Sequence, residues 1–344
     1  MRPMTVAVAV SGGMDSLLAL ALVREAGHDA LALHAHFLPP DDRQLRLVRA
    51  LDDLCRSHGV PFAAVDLSGE FRRLVIEPFM DAYAAGLTPN PCAACNRDMK
   101  FGLLADEAVR LGAGRIATGH YARQDERGGL LRGADPAKDQ SYFLTLTPPE
   151  KLRRALFPLG EWRKADVPAA LASRGLAPPL PSESQEVCFV PGDDYRAFLQ
   201  DQGARVPGPG PVRLPDGREI GRHQGLWRHT IGQRKGLGIP WSEPLYVLDK
   251  IASENALIAG PKSGLDAHDC HVREVNLLVP FEEWPDAPLA QTCYRQRPAP
   301  VRASLARDGL LSLRFDNPIP KPTPGQVAAV FDGSGRALAG GVIL

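Results

Sequence analysis

The segment Thr5-Val6-Ala7-Val8-Ala9-Val10-Ser11-Gly12-Gly13-Met14-Asp15-Ser16 constrains the chain more than any other. A short β-prone apolar run enters a Ser-Gly-Gly turn, and helical spacing follows from about Asp15 to Ala26. Residues Ala30–Phe37 read as a second strand. Asp41–His58 reads as a helix with Leu45, Val48, Leu51, Leu54 and Cys55 on one face, and Pro61–Leu67 as a third strand. Strands alternating with helices predict a parallel sheet covered on both faces, joined by right-handed crossovers. A helix at about Met99–Leu111 and a strand at Arg115–Thr118 continue the alternation.

The character changes after about residue 200. Gly203–Gly221 is dense in glycine and proline, and short β-like runs then alternate with turns, among them Leu245–Asp249, Ala256–Gly260, Val272–Val275, Ala303–Leu305, Leu311–Phe315 and Val327–Phe331. The expected division is an α/β domain over 1–200, a small β-rich domain over 201–275 and a further β module over 276–344, with the join near 272–278. The length of 344 residues accommodates two or three domains. Forty basic residues balance forty acidic ones, which argues against coating nucleic acid by bulk charge but leaves room for a local basic face. Between Arg205 and Lys235 seven cations stand against two acids, with Trp227 and His229 as expected stacking surfaces for RNA. No apolar run is long enough for a membrane span, and the N-terminus has no signal-peptide pattern, so a cytoplasmic protein with no membrane partner is expected.

The turn at Ser11–Ser16 suits an anion. Glycines let the backbone approach closely, the helix start offers free N–H groups, and Ser11 and Ser16 add hydroxyls. Asp15 would repel phosphate unless a cation intervened, and Mg²⁺ bridging Asp15 to a pyrophosphate resolves this. The Lys-bearing phosphate loop is excluded, because no Gly-Lys-Ser/Thr ends the turn.

Six cysteines are too few for a disulfide scaffold in a chain of this length. Cys55, Cys270 and Cys293 read as buried, inert thiols. Cys92 and Cys95 form a C-x-x-C pair in Thr88-Pro89-Asn90-Pro91-Cys92-Ala93-Ala94-Cys95-Asn96-Arg97, and Cys188 follows Ser184-Gln185-Glu186-Val187. The three could ligate a [4Fe–4S] cluster with one open iron, or two of them could carry and accept sulfur by thiol–disulfide chemistry.

These residues resemble the tRNA-specific 2-thiouridylases, enzymes of the ATP pyrophosphatase superfamily that put sulfur on carbon 2 of a wobble uridine. The resemblance runs nearly end to end. It is carried by Ser11–Ser16, Asn90-Pro91, Cys95, Ala117–Ala122, Lys138–Phe143, Ser184–Phe189, the block Gly221–Ile239, Tyr294-Arg295-Gln296 and Thr323–Gln326. It implies an N-terminal adenine nucleotide alpha hydrolase-like domain with the pyrophosphate loop, then small β modules that include a C-terminal β-barrel. By position, Ser11, Gly12, Gly13, Asp15, Ser16 and Gly119 would hold ATP and Mg²⁺. Asn90, Pro91, Cys92 and His120 would line the target base, and Lys138, Asp139, Gln140, Tyr294 and Gln326 would touch tRNA. Cys95 and Cys188 would be the catalytic cysteines, with Cys92, Cys95 and Cys188 as the ligand set of the cluster version. Sulfur would come from a desulfurase relay or from free sulfide.

Three positions depart from the family pattern. Cys92 stands where many members carry Asp, and Cys293 where Arg commonly precedes the Tyr. His34–Asp42 lacks the Met-Lys-Asn-Trp-like stretch. Two other readings share some of these features: an amide-forming ligase on the same scaffold, which needs no paired cysteines, and a redox binding module with a vestigial nucleotide loop.

Overall fold

The computed structural model describes residues 4–180 and 187–344. Strands β1 (Thr5–Ala9), β2 (Asp29–His36), β3 (Phe62–Asp66) and β4 (Arg115–Ala117) form a parallel sheet. A hairpin of β5 (Ala122–Gln124) and β6 (Leu130–Arg132) follows, and β7 (Ala155–Leu156) completes the sheet in the order β3-β2-β1-β4-β7. Val6, Ala7 and Val8 are wholly buried, as expected of a central strand covered on both faces. Helix α1 (Met14–Glu25) lies against the sheet through Leu17, Leu18, Leu20 and Val23. Helix α2 (Asp42–Ser57) starts where the Asp41 carboxylate accepts from the Gln44 N–H at 2.8 Å, and it buries only Leu51 and Cys55.

Strand order reverses between β1 and β4, because β1 leads outward to β2 on one side and meets β4 on the other. The crevice beyond the carboxyl ends of such strands is where open α/β sheets bind ligands. The segment expected to begin a helix at Met99 is already helical from Pro91. It winds as an α-turn over Pro91–Ala94, a π-helix over Cys95–Leu103 and an α-helix over Leu104–Arg110.

The central module is a sheet of β8 (Gly210–Arg213), β9 (Glu219–His223), β10 (Tyr246–Ile251) and β11 (Ala256–Gly260), closed over Val212, Leu226, Val247 and Leu257. The C-terminal module is a closed barrel of β12 (Asp266–Leu277), β13 (Leu289–Gln291), β14 (Ala299–Leu305), β15 (Leu311–Pro320), β16 (Val327–Phe331) and β17 (Ala337–Ile343). Register shifts bend the long β12 so that it pairs with β15 at one end and β17 at the other. The expected join at 272–278 therefore falls on this strand, whose partners belong to the barrel.

Every residue of β16 is buried, and its two faces serve different cores. Ala328 and Val330 point into the barrel, while Val327, Ala329 and Phe331 pack on the catalytic domain. The period-2 geometry of a strand thus explains its unbroken apolar sequence. Among the described residues no helix is long and apolar enough to cross a membrane.

Candidate active site

The switch-point crevice is a cavity of about 410 Å³, lined by Ser11, Gly13, Asp15 and Ser16 of the first loop, by His34 of β2 and Phe37 just after it, and by Thr118–His120 after β4. The loop is tied on itself. The Ser11 N–H donates to Ser16 Oγ at 3.1 Å, and the Ser16 hydroxyl donates to the Gly13 carbonyl at 2.9 Å. Gly119 lies directly against it. A Cβ there would sit 2.9 Å from the Asp15 carbonyl carbon and 3.0 Å from the Ser16 nitrogen, so the close approach demands glycine.

Asp15 has two partners that the sequence reading did not assign. Lys164 Nζ donates to both carboxylate oxygens at 2.7 and 2.6 Å, and the Tyr121 hydroxyl donates to Oδ1 at 2.8 Å. Tyr121 stands inside the quoted Ala117–Ala122 motif. Lys164 had no local signal, because it arrives from 149 residues away. The cation that offsets the Asp15 carboxylate in this structure is therefore the Lys164 ammonium.

His120 is buried, its Nδ1 is 2.7 Å from Thr118 Oγ1, and its Nε2 faces Lys100 Nζ at 3.5 Å. Burial, reinforced by Lys100, holds its pKa well below the usual imidazole value. An ammonium only donates, so Nε2 is the acceptor and Nδ1 carries the hydrogen.

Lys100, which lines this cavity, is within electrostatic reach of three thiols outside its lining. The Asn90 side chain accepts from the Ala93 N–H at 3.2 Å and caps the turn that carries Cys92 and Cys95. Pro91 is buried and pre-set for the first helical turn. Cys95 is buried, whereas Cys92 and Cys188 each present a face to solvent. All three thiols titrate above their ordinary value because of burial, Cys95 up to about 12, and Lys100 opposes the shift in each. Cys188 lies within electrostatic reach of both Cys92 and Cys95. Thiols 93 residues apart in sequence, Cys95 and Cys188, therefore share one mouth. Ser184, Gln185 and Glu186 of the Cys188 motif lie outside the described residues.

The donor set does not close around a metal. Among the described residues, which include Cys92, Cys95 and Cys188, no group of three or more His, Cys, Asp or Glu is gathered as a metal-binding set. As placed, the three thiols converge without fitting the ligand geometry of the expected [4Fe–4S] cluster.

The remaining expected residues divide by what they touch. The Asp139 carboxylate is buried and fully engaged, accepting from Arg132 Nε at 2.7 Å and from the Gly133 and Ser141 N–H groups. Gln140 lines the cavity and accepts from the Tyr121 N–H at 3.1 Å, and Lys138 is half-buried beside it. Tyr294 packs on Phe143 with ring centroids 4.5 Å apart. Gln326 reaches back from the barrel, and its Nε2 donates to the Thr88 and Pro89 carbonyls at 2.9 and 3.1 Å. The Thr88 N–H donates to the Pro324 carbonyl at 2.9 Å, and the Tyr142 hydroxyl donates to the Val327 carbonyl at 2.8 Å. Between them Gly325, at φ +91°, would drive a Cβ to 3.0 Å from the Thr88 backbone. The barrel is thus bolted to the chain entering Asn90.

Three expectations are corrected here. Trp227 and His229 are buried, the indole packs in the main core with residues of the catalytic domain, and its N–H donates to the Pro207 carbonyl, so these rings are packed inside rather than offered as stacking surfaces. The exposed aromatic of this region is Trp241, 39% accessible, with the Arg218 guanidinium 5.6 Å from its ring. Cys55 and Cys270 are buried as expected, but Cys293 is exposed because β13 ends at Gln291 and a turn follows. A larger cavity, about 930 Å³, opens at the amino ends of the parallel strands by Thr5, Asp29 and Pro61, and holds none of the expected site residues.

Three family models cover the chain almost without gaps. Residues 4–192 match the tRNA methyl transferase HUP domain, 196–261 the tRNA methyl transferase PRC-barrel domain, and 267–343 the aminomethyltransferase beta-barrel domain. The chain is 55% identical to the tRNA-specific 2-thiouridylase MnmA of Oleidesulfovibrio alaskensis over 99% of both chains. It is 53% identical to that of Nitratidesulfovibrio vulgaris over 99% of both, and 47% identical to that of Lawsonia intracellularis over the same shares. Matched along nearly its whole length by these models and relatives, the chain belongs to the tRNA-specific 2-thiouridylase family.

Proposed function

We propose that this chain is the ATP-dependent enzyme that replaces oxygen by sulfur at carbon 2 of a tRNA uridine. The observation that carries the reading is the convergence of Cys95 and Cys188, distant in sequence, within electrostatic reach of each other and of Lys100, which lines the cavity of the glycine loop. The carbonyl oxygen at carbon 2 is a poor leaving group. Attack by that oxygen on the α-phosphorus of ATP expels pyrophosphate and leaves the base carrying AMP, which departs readily. The loop N–H groups at the start of α1 and the Lys164 ammonium would bear the charge growing on the departing pyrophosphate. Asp15 would hold Mg²⁺, which supplies further neutralisation of the phosphates. His120, kept neutral by burial, borders the same space and offers no charge to repel Lys100.

Sulfur transfer follows from the two thiols. A donor first leaves a terminal sulfur on Cys188 as a persulfide. That terminal sulfur attacks carbon 2 and AMP leaves. The Cys95 thiolate then attacks the Cys188 sulfur, breaking the sulfur–sulfur bond. The electron pair goes to the base sulfur, giving 2-thiouridine and a Cys95–Cys188 disulfide, which an external thiol must reduce. Cys188 faces solvent, as a thiol loaded by a donor must, and Cys95 is shielded, as a resolving thiol is best kept. No step is routed through an iron–sulfur cluster, since the thiols are not gathered as a ligand set.

In the three-part division, the α/β domain works on the flipped base while the β modules hold the tRNA stem. The basic stretch and Trp241 supply the contact surface. The wobble position and a desulfurase-relay or sulfide donor are the finer parts of the proposal.

The test is ATP-dependent 2-thiolation of unmodified tRNA by iron-free protein, with nucleoside analysis of the product. The reading requires 2-thiouridine together with AMP and pyrophosphate. AMP formation without tRNA, coupled to an amide product, would assign the chain to the ligase class instead.

A further inference from the structure

Two groups reach the Asp15 carboxylate from outside its own loop, the Tyr121 hydroxyl and the Lys164 ammonium. One segment, residues 133–141, braces both. On one side Gln140 grips Tyr121 at two points. Its N–H donates to the Tyr121 carbonyl at 2.9 Å, and its side-chain oxygen accepts from the Tyr121 N–H at 3.1 Å. On the other side the Asp135 carboxylate accepts from the Lys164 N–H at 3.0 Å. Gly133 closes against Tyr121 so tightly that a Cβ there would sit 2.6 Å from the Tyr121 carbonyl oxygen. The backbone of Ser11–Ser16 is thus tied by its own hydrogen bonds, while its one carboxylate is set from this segment.

The segment is in turn closed by Asp139. Its Oδ1 accepts from the Gly133 N–H at 2.9 Å and the Ser141 N–H at 3.1 Å, which joins the two ends. Its Oδ2 accepts from Arg132 Nε at 2.7 Å. Hydrogen bonds to an ionised group are roughly twice as strong as neutral ones, so this is a firm closure. The Asp139 side chain is only 4% exposed. A carboxylate so occupied and so shielded offers no donor to RNA, and its charge would repel a phosphate backbone.

We propose that Asp139 is a positioning residue of the ATP site and not a tRNA contact: it closes the 133–141 segment, which keeps Tyr121 and Lys164 on Asp15. An Asp15 carboxylate without those partners would repel the phosphates that the loop N–H groups attract. Opening the segment therefore turns one charge in the site against the nucleotide while leaving the loop backbone intact. The inference deepens the ATP-dependent reading and rests on it.

The experiment measures two affinities on the full chain, for ATP with Mg²⁺ by calorimetry and for unmodified tRNA by filter binding. Asp139→Asn keeps the size but turns an amide donor toward other donors. It should weaken ATP about tenfold and leave tRNA within about twofold, and in thiolation KM for ATP should rise while KM for tRNA stays. Tyr121→Phe, which removes the hydroxyl on Asp15, should weaken ATP about threefold. The double variant should bind ATP within about twofold of Asp139→Asn alone, because the Tyr121 brace is already released; a product of the two losses, about thirtyfold, would mean general loosening and overturn the proposal. Weakened tRNA binding with ATP unchanged overturns it as well. If Asp139→Asn does not fold, Asp135→Ala, in a half-exposed position, tests the Lys164 brace: about threefold weaker ATP supports the proposal and unchanged ATP overturns it. A parent protein that binds no ATP would instead overturn the functional reading itself, so the two failures are told apart.

Discussion

The nucleotide cavity and the thiol mouth are neighbours built in opposite ways. The cavity's floor is one continuous segment: strand, Ser11–Ser16 and α1 follow one another, and their hydrogen bonds span five residues or fewer. The mouth is assembled from distance. Cys188 comes from far along the chain, and the segment before Asn90 is clamped by a barrel residue 238 positions away. On the proposed reading, phosphate binding would thus depend on local backbone, and sulfur transfer on docking of the whole molecule. Damage to the second region should spare nucleotide chemistry far more than damage to the first.

The largest effects should come from the thiols themselves. Cys95→Ser and Cys188→Ser should each lower thiolation by about 10³-fold or more, as loss of a covalent nucleophile does, while tRNA-dependent ATP–pyrophosphate exchange persists. Exchange lost together with thiolation would erase the distinction between the regions. Next comes Gly119→Ala, which forces a Cβ to 2.9 Å from Asp15. Overpacking of this kind costs about 1–3 kcal/mol, so ATP affinity measured by calorimetry should fall roughly 10- to 100-fold.

Gln326→Leu removes the donor to Thr88 and Pro89. With about 1 kcal/mol for each of the two lost bonds, thiolation should drop about thirtyfold, with ATP affinity unchanged. A direct tRNA contact alone would instead appear purely in tRNA affinity. The smallest effect concerns pH. His120 titrates lower in the fold than in the unfolded chain, so it favours folding fully above its unfolded value, near pH 6.5. That contribution is lost as pH falls below this value toward the folded one. His120→Gln should flatten the acid slope of thermal stability there, and an unaltered slope would place the acid sensitivity elsewhere.

This contrast also explains what was legible in the sequence. The strand, glycine turn and helix at residues 5–26 carry their own signal, and β1, the turn and α1 appear where they were expected. The resemblance supplied Gly119, Cys95 and Cys188. Lys164 and the clamping role of Gln326 were not readable, because each depends on a partner brought close only by the fold. Trp227 was misjudged for a related reason: an aromatic in a basic stretch serves RNA or core equally well, and burial alone decides.

The account stands on the meeting of Cys95 and Cys188. A single turnover with persulfide-loaded protein, tRNA and ATP, without reductant, followed by peptide mapping of disulfides, tests it most directly. One Cys95–Cys188 disulfide should form for each 2-thiouridine. Thiouridine formed while both thiols stay free would contradict it.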